Sequence, residues 1–172
     1  MFLNPKSILE NIKIPHGARV ADFGTGAGHF AILAAERLQG GGVVYALDAF
    51  RPALQTLTRE ASRRSLNVHT LESDLNVHIP LKENLISLGI VANILHQLSD
   101  RKKFAEELAR VIEPEGEVLV VDWAGSFKNM GPNEASVILP GQAVELFSSV
   151  GFTSGPMLPA GTHHFAFIAR NS

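Results

Sequence analysis

Residues 20–38 read VADFGTGAGHFAILAAERL, and this stretch decides the fold. Apolar residues run into three glycines, Gly24, Gly26 and Gly28, and then into a helical pattern. A strand that breaks on glycine and restarts as a helix brings main chain close to a ligand, because each missing Cβ leaves room. A phosphate-binding P-loop needs Lys and then Ser or Thr after its last glycine, whereas His29 and Phe30 follow here. A dinucleotide fingerprint needs a third glycine where His29 stands. His29 therefore either touches a ligand or simply opens the helix.

Outward from this loop, strand-like and helix-like segments alternate. Asn4 and Pro5 read as the cap and first residue of a short helix through Ile8, Leu9 and Ile12. The runs ARVADF, VVYALD, NVHTLESD, LISLGIVAN, EVLVVDW and HHFAFIAR read as strands. Between them, Phe30, Leu33, Ala34 and Leu38 share one helical face, as do Leu54, Leu57 and Ala61 after Pro52. Phe104, Leu108 and Val111 face inward on a helix capped by Asp100, and LPGQAVELFSSVGF is a helix ending at Gly151. EPEG is expected to be a turn before the fifth strand, and residues 125–139 a loop. The expected fold is a doubly wound α/β domain over residues 1–172, with a Rossmann-like, mostly parallel sheet of seven strands whose last strand is antiparallel, and helices on both faces.

Composition excludes several classes. The charge of -2 gives no basic face for a sequence-independent grip on nucleic acid. With no cysteine there are no disulfides, thiolate metal sites or cysteine nucleophiles, which fits a cytoplasmic location. MFLNPKSILENIK lacks the pattern of a secretory leader, and the apolar run LISLGIVANIL is too short to span a bilayer. His163 and His164 are adjacent on a strand, so their rings point to opposite faces and do not share a metal.

In such sheets the chemistry sits just past the carboxyl ends of the strands. Those positions hold Asp22, Asp48, Asp74, Asn93 and Asp122. The ordinary reading of any one of them is a helix cap or turn, but the ordered set asks for more.

The ordered series resembles the class I S-adenosylmethionine-dependent methyltransferases, in the small-molecule group related to quinone-biosynthesis enzymes. NPKSILENIKIPHGARVADFGTGAGHF is similar to that group's entry helix and first motif, VVYALDA to its acidic second motif, and ESDL to its third. VANILHQLSD resembles the fourth, and RVIEPEGEVLVVDW the turn into the fifth strand. MGPNEASVILPGQAVELFSSVGF and AGTHHFAFIARN are similar to its closing segments.

The resemblance implies S-adenosylmethionine as cofactor and a small-molecule methyl acceptor. Gly24, Gly26 and Gly28, walled by Phe23 and Thr25, would admit the methionyl part, with Asp22 favouring its ammonium. Asp48 would accept from the ribose hydroxyls and Ala49 would pack on adenine. Asp74 would meet the adenine amino group, Leu75 would cover the ring, and Asn93 would border the methionyl chain and the transferring methyl. His96 is either the general base or a packing residue.

Some features depart from the group. LKENLISLG lacks the acidic residue that often precedes the fourth strand, and a frequent histidine pair is here His96-Gln97. Little chain precedes the first strand to form a lid. The acceptor site is then open, closed by residues 125–139, or completed by a second subunit in a homodimer. No Asn-Pro-Pro-aromatic run follows the fourth strand, which argues against DNA amines and glutamine amides as acceptors. The rival readings are a non-catalytic cofactor-binding partner protein and, more remotely, an NAD-dependent oxidoreductase.

Overall fold

The computed structural model describes residues 3–128 and 130–172. Met1 and Phe2, part of the stretch read for a leader, and Asn129, within the expected 125–139 loop, lie outside the described residues. Seven strands form one sheet: β1 (Arg19–Phe23), β2 (Val43–Asp48), β3 (Val68–Glu72), β4 (Ile86–Ala92), β5 (Ile112–Trp123), β6 (Phe152–Ser154) and β7 (His164–Asn171). Their order is β3-β2-β1-β4-β5-β7-β6. Pairing is parallel from β3 across to β5, and β7 runs antiparallel to both β5 and β6. No helix among the described residues is long and apolar enough to cross a membrane.

Two apolar layers flank the sheet because successive strand residues point to opposite faces. On one side, Val20, Leu119 and Val121 pack with Ile8 and Leu9 of α1 (Pro5–Glu10), Phe30 and Leu38 of α2 (His29–Leu38), and Leu57 of α3 (Arg51–Arg63). On the other, Phe23, Val118 and Val120 pack with Phe104 and Leu108 of α4 (Arg101–Val111) and Phe147 of α5 (Pro140–Ser148). Local signals start the helices where expected. Asn4 Oδ1 accepts from the Lys6 and Ser7 amides, and Asp100 Oδ1 accepts from Lys103 N at 2.9 Å.

The structure corrects four details of the sequence reading. Leu33 is half-buried; the inward face of α2 is Phe30, Ala31, Ala34, Ala35 and Leu38, whose three alanines let the helix sit close to the sheet. EPEG does not precede β5 but bulges within it. Ile86 pairs with Ile112 and Leu88 already with Glu117, and Glu115 takes a left-handed φ of 63°. The sixth strand, which has no run of its own in the sequence, is the three-residue FTS, too short to show alternation. Within residues 125–139, Phe127 bridges to Met130, and Glu134–Ser136 forms a 3-10 turn capped by Asn133.

The chain runs outward from β1 to β3 and then crosses back to β4, so strand order reverses between β1 and β4. A cleft opens outside such a reversal. The loop after β1 enters α2 through Gly28, which has φ +78°, and a Cβ there would lie 2.4 Å from Leu57 Cδ1. Left-handed strain and overpacking then act together, so Gly28→Ala should cost about 2 to 4 kcal/mol of stability. Urea unfolding measures this; an unchanged midpoint contradicts that role for Gly28.

Candidate active site

Two carboxylates shape the glycine loop. Asp22, the fourth residue of β1, is buried, and its Oδ2 accepts from Thr25 Oγ1 at 2.6 Å and from Ala31 N at 3.1 Å. Asp48, the last residue of β2, accepts from Gly26 N at 2.8 Å on one oxygen and from Phe50 N at 2.8 Å on the other. The Gly24 and Thr25 amides both donate to Leu47 O, at 2.8 and 2.9 Å. The loop is thus tied to β1 below and β2 beside.

Two cavities meet over this loop and share Gly24, Gly26 and Gln97. The first, of about 300 Å³, has Asp48, Ala49, Asp74 and Leu75 in its walls. The second, of about 310 Å³, has Asp22, Thr25, His29 and Asn93. They form one bent cleft across the β1/β4 reversal. A Cβ on Gly24 would lie 2.9 Å from Ile94, at φ +75°, while one on Gly26 meets nothing within 4 Å and would project into free space. That space is available to a ligand only while position 26 stays glycine. Asn93, at left-handed φ 57°, has a buried Oδ1 with no partner in the protein. A ligand with a donor at that end would satisfy it.

The residues expected to bind cofactor divide between the lobes, with two exceptions. Phe23 turns into the core, edge-on to Phe104 at 6.2 Å, and its side chain reaches neither cavity. It follows the strand alternation, which opposes it to Asp22. Gly28 also lines neither cavity; it is the left-handed entry to α2. His29, left open between ligand contact and helix start, opens α2 and lines the second cavity.

His96 lies in a 3-10 turn, Leu95–Gln97, just past β4, and lines neither cavity itself. Its Nδ1 is 2.7 Å from Oδ1 of the fully buried Asp122, near the end of β5. Asp122 was visible as a strand-end acid, but nothing in the sequence announced the pairing, which depends on β4 and β5 being neighbours. Gln97 was also missed: its Nε2 donates to Asn93 O at 2.8 Å, and it borders both lobes. Leu3 and Pro5 line the second lobe, so the short N-terminal segment does contribute to closing it.

The wall carrying Asp74 and Leu75 is pinned from behind by α4. Arg110 donates to Ile79 O and Leu81 O at 2.8 Å each, and Glu107 accepts from Ile79 N at 3.0 Å. Asp74 itself is exposed, and hydrogen bonds from the Asn76 amide and side chain hold its carboxyl below the ordinary range.

Burial pushes the Asp22 carboxyl up to about 6; the Thr25 hydroxyl and Ala31 N–H oppose the rise, and the charge of Asp48 adds to it. A carboxyl raised in the folded state adds stability below about pH 4, its unfolded value, and loses it as pH climbs through about 6. Ionised Asp22 therefore costs about 3 kcal/mol at pH 8 in the ligand-free protein. Asp22→Asn should melt no lower than the native chain at pH 8 and lose that advantage at pH 4. Thermal unfolding across pH tests it; an advantage that grows toward acid contradicts it.

Comparison with known proteins agrees with this geometry. Residues 21–120 match the family described as a methyltransferase domain. A demethylmenaquinone methyltransferase of Thermus thermophilus is 32% identical over 105 residues, 61% of this chain and 47% of that protein. One from Lactiplantibacillus plantarum is 27% identical over 110 residues, 63% of this chain and 46% of that protein. The chain spans about half the length of the curated relatives it matches. A SAM dependent methyltransferase from Aquifex aeolicus superposes with a TM-score of 0.89 at 27% identity, over 99% of this chain and 91% of that one. With the glycine loop, the acid at the end of β2 and the strand order all in place, this chain belongs to the methyltransferase-domain family, in its S-adenosylmethionine-dependent class.

Proposed function

We propose that this chain transfers the methyl group of S-adenosylmethionine to a small planar acceptor, with a quinol as the first to test. The bent cleft carries the proposal. It offers carboxylates at a nucleoside-sized lobe and an unpartnered buried Asn93 Oδ1 at the other end. The demethylmenaquinone methyltransferases among the relatives suggest the acceptor class. A quinone ring carbon is electron-poor, so the reduced quinol is the nucleophilic form.

The cofactor supplies an electrophilic methyl on a good leaving group; the chain supplies position and proton handling. Each Asp48 oxygen already accepts one amide and keeps capacity for a ribose hydroxyl. Ala49 and Leu75 would pack on adenine, and Asp74 would meet its amino group. Asn93 Oδ1 and Asp22 would hold the ammonium of the methionyl end, and the backbone of Gly24 and Gly26 would let that chain lie close. Ammonium binding would hold Asp22 ionised.

His96 is the proposed base. Asp122 at its Nδ1 selects the tautomer with the proton there and leaves Nε2 free to take a hydroxyl proton from the acceptor. The quinol ring carbon would then take the methyl as its bond to the sulfonium sulfur breaks and S-adenosylhomocysteine leaves, and loss of the ring proton to solvent would restore the aromatic ring. The near-neutral charge supports a small molecule over a nucleic acid, and the lack of cysteine supports a cytoplasmic setting. The segment after β5 already lies against Trp123, where a Cβ on Gly131 would sit 2.7 Å from the indole. This supports closure of the acceptor side by the chain itself, as one domain, without requiring a homodimer.

Calorimetry should find S-adenosylmethionine and S-adenosylhomocysteine bound and NAD not bound. Asp48→Ala should weaken both by about 1 to 3 kcal/mol. His96→Gln should keep cofactor affinity and slow methylation of demethylmenaquinol by about 10²- to 10⁴-fold. Cofactor binding with no turnover, on quinols or in cell extract, would favour the non-catalytic partner reading; no cofactor binding would overturn the proposal.

A further inference from the structure

After β3 the chain reads Ser73-Asp74-Leu75-Asn76, and all four residues line the first cavity. Two polar side chains two positions apart set the local geometry. Asp74 Oδ1 accepts from Asn76 N at 2.9 Å, which closes a short turn, and from Asn76 Nδ2 at 3.0 Å. Both bonds end on the same oxygen. Among the described residues no protein group donates to Asp74 Oδ2. A carboxylate oxygen has about two acceptor sites, so Oδ1 is filled and Oδ2 is left for a ligand.

The far end of the Asn76 amide is fixed by a different segment. Its Oδ1 accepts from Ser99 N at 2.8 Å and from Ser99 Oγ at 2.9 Å. A backbone N–H can only donate, so the atom facing Ser99 is the amide oxygen and the one facing Asp74 is the nitrogen. Ser99 directly follows Gln97 and Leu98, which also line the first cavity. The sheet does not hold these two segments together. β3, which leads into Asp74, and β4, which leads into Gln97, are separated by β2 and β1. Asn76 is the hydrogen-bonded bridge between them.

We propose that Asn76 is a positioning residue for base specificity, which makes the cleft select a 6-aminopurine over a 6-oxopurine. With Oδ1 taken, Oδ2 is the oxygen that Asp74 offers to a base in the first cavity. An exocyclic amine donates to it, whereas a 6-oxo group sets its own lone pairs against it. A freely turning carboxylate would swing away from that clash. One held by two Asn76 bonds must first give them up. Ser99 acts through Asn76, by keeping the amide from rotating. This inference rests on the methyltransferase reading above, which puts adenine in this cavity.

The test compares S-adenosylhomocysteine with S-inosylhomocysteine, which differ at the C6 edge of the purine, by calorimetry on the native chain, Asn76→Ala and Ser99→Ala. The native chain should prefer the amino form by about tenfold or more. Asn76→Ala should cut that ratio by about threefold or more, mainly by weakening the amino form. Ser99→Ala keeps the backbone donor and should move the ratio the same way, by less. A residue that merely shapes the loop would weaken both ligands alike, so an unchanged ratio in Asn76→Ala overturns the proposal. A native chain that binds both ligands equally also overturns it. Both results leave the methyltransferase reading intact. A native chain that does not bind S-adenosylhomocysteine fails that reading first, before any substitution is made, and the role of Asn76 falls with it.

Discussion

The hydrogen bonds from Thr25 Oγ1 and Ala31 N to the buried Asp22 carboxylate join the end of β1, the glycine loop and the start of α2 in one place. A charged group is expensive to bury, and its retention here has a mechanical result. The loop is held with Gly26 lining the cleft. Asp48 repeats the arrangement from β2 by taking Gly26 N. The cleft is therefore formed before ligand arrives, which lowers the ordering cost of binding. An ammonium at the methionyl end would in turn relieve the strain on Asp22. Loop and cofactor charge would then support each other.

The other half of the site depends on topology rather than on local sequence. β4 and β5 are neighbours, and this brings His96 onto Asp122 across 26 positions of chain. The antiparallel β7 brings His164 to Trp123 in the same corner. The sheet thus gathers Asp22, Asp48 and Asn93 around the cavities past β1, β2 and β4, and sets the His96–Asp122 pair between β4 and β5. The transferring methyl would pass between them, beside Asn93 and Gln97. A fold of this kind supports many reactions, so the assignment of chemistry rests on these side chains and not on the sheet.

Much of this was legible in the sequence, for identifiable reasons. Glycine spacing, strand-end aspartates and capped amphipathic helices are local signals, and they located Asp22, Asp48, Asp74, Ala49, Leu75 and Asn93 on the cleft. The Phe23 side chain lies off the cleft because neighbouring strand residues face opposite sides, so a residue beside a site residue points into the core. Gly28 lies off the cleft as the left-handed entry to α2, a role that glycine spacing does not separate from ligand approach. The His96–Asp122 pair, the double role of Gln97 and the place of His164 beside Trp123 were not legible. Each depends on which strands lie side by side, and β6 is too short to betray its place in that order.

The central claim is that the bent cleft over Gly24 and Gly26 holds S-adenosylmethionine, with its nucleoside at Asp48 and its methionyl ammonium at Asn93. A crystal structure with S-adenosylhomocysteine tests it most directly. Expected are ribose hydroxyls within hydrogen-bond distance of both Asp48 oxygens, and an ammonium near Asn93 Oδ1, with the Asp22–Thr25 contact unchanged. A ligand bound elsewhere, or one seated only after the loop has left Asp22 and Asp48, would contradict it.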